Sequence, residues 1–229
     1  MSILVFAPHP DDEVLGCGGS IAAHVADGRR VQIAYLSSGE RGVPGVEVED
    51  AGVLREGEAR QAAGILGVSE GDLHFLRLPD GGFDPGAAEQ FGAVLGLLRR
   101  LRPAVVYLPH PGDGSFDHQQ AHRLVWRALE MSGSRNYTLA GEPHWVPTVL
   151  GYEVWEPLRR PALLVDLGKA ADRKERALSC YGSQGKGPGQ AEHTGSGALA
   201  MARWRGAVTT GGCREAFAVL RLDAAAVAW

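Results

Sequence analysis

The stretch Ile3-Leu4-Val5-Phe6-Ala7-Pro8-His9-Pro10-Asp11-Asp12-Glu13 decides how the chain begins to fold. Residues 3 to 7 are apolar without interruption and stop at proline, as a short strand buried on both faces does. Residues 16 to 27 then carry small and apolar side chains, with Ser20 near the start and Gly28 just past the end, the pattern of a helix closed by glycine. Strand, polar loop and helix follow in that order.

Outward from this unit the pattern recurs. Residues 31 to 36, 73 to 76 and 104 to 108 read as further strands. Residues 50 to 66, ending at Gly67, and 86 to 101, stopped before Pro103, read as helices between them. A turn-rich loop at 109 to 116 leads into a helix from about 117 to 131, and strands follow at 148 to 154 and 163 to 166. Short apolar runs alternating with helical periods imply right-handed crossovers and a parallel sheet covered on both faces. The expected fold is α/β, a three-layer Rossmann-like sandwich with a mostly parallel sheet, whose pairing order beyond residue 108 the pattern leaves open. The Gly-rich segment 181 to 190 has the character of a flexible surface loop or lid.

With 229 residues, the chain has a length one α/β domain ordinarily occupies, so residues 1–229 are read as a single domain. Hydrophobic residues at 45% and charged residues at 22% argue for a globule rather than a disordered chain. A formal net charge of -4, with no block of Lys and Arg, argues against nucleic acid and for a small substrate. Cys17, Cys180 and Cys213 form no C-x-x-C pair and are odd in number, so neither a disulfide framework nor a cysteine metal site is expected. The start lacks a basic region ahead of its apolar run, and no stretch reaches transmembrane length. The expected location is the cytoplasm.

Ligands of open parallel sheets bind outside the carboxyl ends of the strands. Two polar clusters sit there: His9, Asp11, Asp12 and Glu13 after the first strand, and His110, Asp113, Asp117 and His118 after the strand at 104 to 108. Imidazoles and carboxylates suit zinc, or another divalent cation, and a catalytic site needs three protein ligands with one position open for water. His9, Asp12 and His118 can supply them.

The Pro8-to-Glu13 loop resembles the signature of the LmbE-like, or PIG-L-type, zinc-dependent N-acetylglucosaminyl deacetylase family. Leu15-Gly-Cys-Gly-Gly-Ser-Ile21, Arg55 with Glu58, Leu78-Pro-Asp-Gly81, Asp117-His118, and Lys174 through Tyr181-Gly-Ser-Gln184 lie in the family's order. The resemblance implies that His9, Asp12 and His118 hold the metal, that Asp11 is the general base toward a metal-activated water, and that Arg55 holds substrate. It implies a small N-acetylated, sugar-like substrate and admits a homo-oligomer. One position departs: where the family has a histidine three residues before the last ligand, this chain has Ser115. Serine cannot carry that charge, so His110 and His193 are the candidates for the proton-donating role. Two other readings stand beside deacetylation: an amidase of larger N-acyl or thiol-conjugate substrates, and a metal-binding relic without turnover.

Ordinary explanations compete at several positions. Acidic residues at a helix start are favoured by the dipole alone, although capping calls for neither histidine nor two prolines. Gly16-Cys17-Gly18-Gly19 resembles a dinucleotide fingerprint, but Ile21 stands where the last glycine belongs, and close helix packing is the simpler reading. Arg55 has Glu58 within reach along the helix. Asp117 either orients His118 or its neighbours or caps a helix. Asp80, Tyr152 and Glu153 are read as pocket-lining. His24, His74, His122 and His144 have no assignable partner.

Overall fold

The computed structural model describes residues 2–185 and 192–223, side chains at 185 and 192–194 excepted. The first strand, β1 (Ser2–Ala7), lies near the middle of a seven-stranded sheet. With β2 (Arg30–Tyr35), β3 (Leu73–Phe75), β4 (Val105–Pro109), β5 (Thr148–Tyr152), β6 (Leu163–Asp166) and β7 (Arg214–Leu222), the order across the sheet is β3-β2-β1-β4-β5-β7-β6. Pairing is parallel from β3 through β5, with Ile3 opposite both Val31 and Val105, and antiparallel at β5-β7 and β7-β6. The expected α/β fold with a mostly parallel sheet is the observed one.

Strand side chains alternate between faces, so a strand buried on both sides must be apolar throughout. Ile3, Val5 and Ala7 pack with α1 (Asp12–Ala26), α2 (Val48–Leu66) and α5 (Ala170–Leu178). Leu4 and Phe6 pack on the other face with α3 (Ala88–Leu101) and α4 (Phe116–Ser132). Burying side chains of this size stabilises by about 1.5–3 kcal/mol each. Because β1 has β2 on one side and β4 on the other, the strand order reverses between β1 and β4. A crevice opens there at the carboxyl ends, where both polar clusters emerge.

The structure corrects several boundaries. α1 begins at Asp12 rather than 16, so the acidic residues of the loop form its first turn. The helix is broken at Cys17 (φ -144°, ψ 22°), close to where the sequence pattern starts it. The break frees backbone groups that two distant side chains satisfy. Lys174 Nζ donates to the Leu15 carbonyl at 2.8 Å, and Glu215 accepts from the Gly19 and Ser20 amides at 2.9 and 2.8 Å. Lys174 and Glu215 also bond each other at 2.7 Å.

Strand β5 stops at Tyr152 rather than 154, because the chain then turns to give the Trp155 amide to Asp113. No element was read from the sequence for α5, for α6 (Glu192–Ala207), whose Gly- and Ala-rich start gives no clear apolar face, or for β7. Tyr181 and Ser183 are buried and packed, contrary to the loop reading there, while 186–190 lie outside the described residues. Glu58 clamps this segment by accepting from the Ser183 amide and hydroxyl at 2.7 and 2.6 Å. The cysteines are free thiols. Among the described residues no helix is long and apolar enough to cross a membrane.

Candidate active site

The turn between β1 and α1 is strained at one residue. Asp11 adopts φ 125° and ψ -30°, a region that side chains rarely enter without support from their surroundings. The support is explicit. Its amide donates to Glu13 Oε2 at 3.1 Å, its carbonyl accepts from Val14 and Leu15, and its carboxylate lies 3.2 Å from Arg55 Nη2. Arg55 also donates to the carbonyls of Pro10 and Gly39, so one buried guanidinium ties the loop after β1 to the loop after β2. Glu13 in turn accepts from the hydroxyls of Tyr35 and Tyr181. Burial pushes its carboxyl up to about 7 even though the Tyr181 bond opposes the rise.

Asp12 sits between two imidazoles. His9 Nδ1 is 3.2 Å from Asp12 Oδ2, and His118 Nε2 is 3.3 Å from Asp12 Oδ1. One ligand atom from each of the three lies within 4.8 Å of the others. The outer ring nitrogens also face carboxylates: His9 Nε2 is 2.8 Å from Asp117 and 3.1 Å from Asp80, and His118 Nδ1 is 3.4 Å from Asp113. Imidazole ligands of cations are commonly oriented by such outer partners. The donor set therefore fits a divalent cation.

The electrostatics agree with that fit. Burial lowers the affinity of His118 for a proton, yet Asp12 and Asp113 outweigh it and raise its pKa to about 9. His9 is likewise raised despite burial, by Asp117, Asp12 and Asp80. Asp12, which burial alone would raise, is held far below the usual carboxylate range by His118 and His9. The site attracts positive charge, and a dication at its centre would take the place of those protons. Asp11, beside the set, is pushed up to about 7 by burial, with Arg55 opposing the rise.

The site opens on a cleft of about 610 Å³, whose lining includes Asp11, Arg41, Arg55, Asp80, Trp155 and Gln184. Ser115 lines it too, and its role is local: its hydroxyl caps α4 by accepting from the His118 amide at 3.5 Å. The serine thus sets the start of the helix that presents His118.

Other expectations need correction. His110 does not line the cleft; Nδ1 accepts from the Gly112 amide and Nε2 donates to the Glu156 carbonyl, so both nitrogens are used to fasten the loop. The side chain of His193 lies outside the described residues. Arg55 pairs with Asp11 rather than Glu58, which is occupied by Ser183. Asp80 lines the cleft, but its carboxylate is taken up by His9 and the Arg41 amide. Glu153 lines a separate cavity and pairs with Arg205 at 2.8 Å. Tyr152 is buried, its hydroxyl donating to the Phe6 carbonyl. Asp117 faces His9, and it is Asp113 that stands behind His118.

The glycines of α1 are accounted for by packing. A Cβ at Gly16 would lie 2.1 Å from the Tyr152 ring, and one at Gly19 would lie 2.6 Å from Leu167. The remaining histidines have structural partners: His24 meets the Tyr107 hydroxyl, His74 Gln32, His122 the Pro109 carbonyl and His144 the Pro103 carbonyl. Arg41 and Trp155 were overlooked as cleft residues. Both follow the carboxyl ends of strands, the same signal that singled out His9 and His118.

Comparison with known proteins agrees with this geometry. The family described as PIG-L: GlcNAc-PI de-N-acetylase matches residues 4–129, a span that runs from β1 to α4 and holds His9, Asp12 and His118. The chain is 30% identical to the 1D-myo-inositol 2-acetamido-2-deoxy-alpha-D-glucopyranoside deacetylase of Rhodococcus opacus (strain B4), over 80% of this chain and 81% of that protein. It is also 30% identical to the diacetylchitobiose deacetylase of Thermococcus kodakarensis, over 80% of this chain and 69% of that one. Among solved structures, the conserved protein TT1542 from Thermus thermophilus superposes with a TM-score of 0.83 at 35% identity, covering 99% of this chain and 96% of the other.

Proposed function

The chain belongs to the PIG-L: GlcNAc-PI de-N-acetylase family, and from that premise we propose that it is a zinc-dependent hydrolase removing the N-acetyl group from an amino sugar or a glycosylated small molecule. The observation that carries this reading is the division of labour in one turn. Asp12 lies between the His9 and His118 imidazoles, while its neighbour Asp11 is turned aside by a positive φ and stands outside the ligand set. The relatives named above are deacetylases of N-acetylated sugar compounds, which supports the substrate class.

His9, Asp12 and His118 would hold the zinc. When bound, it supplies a Lewis acid that makes a water more acidic and polarises the amide carbonyl. Asp11 would take a proton from the attacking water as the water oxygen adds to the acetyl carbon. The C–N bond then breaks, the nitrogen leaves with the proton that Asp11 carried, and acetate departs. One carboxylate serves as base and then as acid, so the reaction does not need the histidine that Ser115 replaces. Arg55 opposes the rise that burial gives the Asp11 pKa and aims its carboxylate. Tyr181 and Tyr35 hold Glu13, which in turn holds the Asp11 amide.

The test is acetate release from N-acetylglucosaminyl substrates by the zinc-loaded protein. Asp11→Asn is expected to lower turnover by roughly 10²–10⁴-fold, and His118→Ala to bring it to background. Release of a larger acid but not acetate would favour the amidase reading. Inactivity of the zinc-loaded protein across a broad N-acyl panel would leave a metal-binding relic.

A further inference from the structure

We propose that this chain has a second ligand site, outside the His9 cleft, which takes a small uncharged apolar molecule about the size of one substituted aromatic ring. A cavity of about 220 Å³ lies between the break in α1, the turn after β5, α6 and β7. Residues 197, 198, 201 and 202 share one face of α6, and all but Met201 are Gly or Ala, which leaves the room. Leu15, Val154, Trp155 and Pro157 supply apolar walls opposite them. The charged side chains at the border already have partners. Lys174 meets Glu215 at 2.7 Å, Glu153 meets Arg205 at 2.8 Å and Arg214 meets Asp166 at 3.0 Å. A charged ligand would find no unanswered charge there, and the first two pairs are buried, so breaking one to receive it is costly. The site therefore selects against charge. Its size sets the rest: an apolar cavity of about 150 Å³ holds benzene, and this one is larger. Met201 adapts its thioether to a guest, and Trp155 offers a ring.

One residue links this site to the metal ligands. Trp155 belongs to the walls of both the cavity and the cleft. Its amide donates to Asp113 Oδ2 at 3.1 Å, and Asp113 Oδ1 lies 3.4 Å from His118 Nδ1. The Trp155 and His118 ring centroids are 6.5 Å apart. Trp155 is 53% exposed, so a guest packed against it adds contacts that the protein alone does not supply. A guest that steadies Trp155 also steadies Asp113 behind His118, and a cation on His118 acts on the same pair from the other end. Both ligands favour one arrangement, and linkage makes the help mutual.

The experiment measures binding of toluene and of benzoate, the same ring without and with a charge, by calorimetry on the metal-free and the zinc-loaded protein. Toluene is expected to saturate at one site, with benzoate about tenfold weaker or worse. The toluene Kd is expected to be about fivefold lower or more in the zinc-loaded protein. Ala198→Phe and Met201→Trp each fill the cavity from α6 and are expected to weaken toluene by about tenfold or more. Thermal melts show which of the two is folded, and one suffices. Toluene that does not saturate, benzoate that binds as well, or toluene binding untouched in a folded filled variant overturns the site. Equal toluene affinity with and without zinc overturns its link to His118. None of these outcomes depends on acetate release, so the deacetylase reading stands or falls separately.

Discussion

Helix α1 carries two buried charged clusters, and they differ in kind. At the Cys17 break, Glu215 accepts from Lys174, from two freed amides and from the Ser20 hydroxyl, while Lys174 also satisfies the Leu15 carbonyl. One cation meets one anion, and the pair borders a separate cavity of about 220 Å³ rather than the His9 cleft. At the first turn, by contrast, His9 and His118 are surrounded by Asp12, Asp80, Asp113 and Asp117, and the cluster faces a cleft. The first cluster balances its own charge and repairs the backbone. The second has more carboxylates than imidazoles and is built to draw in a cation. Burial and ion pairing alone would not tell them apart; the balance of charge does.

The sharpest way to probe that contrast is to break the charge-balanced cluster. Lys174→Met strands Glu215 and the Leu15 carbonyl in the interior, and removing one partner of a buried pair costs about 3–5 kcal/mol. Urea denaturation should show that loss, while zinc stoichiometry in the surviving folded fraction stays as in the wild type. Loss of zinc binding without loss of stability would mean that the two clusters are not separate in function.

A smaller effect is expected from pH on the metal-free protein. His118, with its folded pKa raised to about 9 against an ordinary value of about 6.5, gives stability that is fully present below pH 6.5 and is lost as pH rises through 9. Asp11 and Glu13, raised to about 7, act in the same direction at lower pH, because the folded state holds their protons longer than the unfolded chain does. Thermal melts of metal-free protein should therefore fall by a few degrees between pH 6.5 and 9. Zinc should flatten the dependence, since the cation replaces the protons. A flat profile without metal would contradict the electrostatic account of the open cluster.

The smallest effect concerns Ser115. If its part is to cap α4, Ser115→Ala costs about 1 kcal/mol in chemical denaturation and leaves the pH profile of turnover in place. A displaced alkaline limb would show that the serine takes part in proton transfer.

Much of this was legible in the sequence, for physical reasons that can be named. Ile3 to Ala7 reads as a central strand because burial on both faces demands an apolar residue at every position. His9, Asp12 and His118 stand out because polar clusters that follow strands converge at the carboxyl edge of the sheet. The start of α1 was misplaced because proline and glycine flank it and its first turn is acidic, so its apolar pattern begins late. The insertion of β7 between β5 and β6 depends on long-range pairing, which local periodicity does not encode. Partner choice was equally hidden. Whether Asp113 or Asp117 stands behind His118, and whether Arg55 reaches Glu58 or Asp11, follows from side-chain direction and loop packing rather than from spacing. Glu153 looked like a pocket residue after a strand end, but Arg205 on α6 claims it.

The central claim is that adjacent aspartates divide their work, Asp12 holding the metal with His9 and His118 and Asp11 remaining free. The most direct measurement is bound zinc, by elemental analysis after exhaustive dialysis, for the wild type, Asp11→Asn and His118→Ala. The account predicts about one equivalent in the wild type and in Asp11→Asn, and none in His118→Ala. Zinc retained by His118→Ala, or lost from Asp11→Asn, would contradict it.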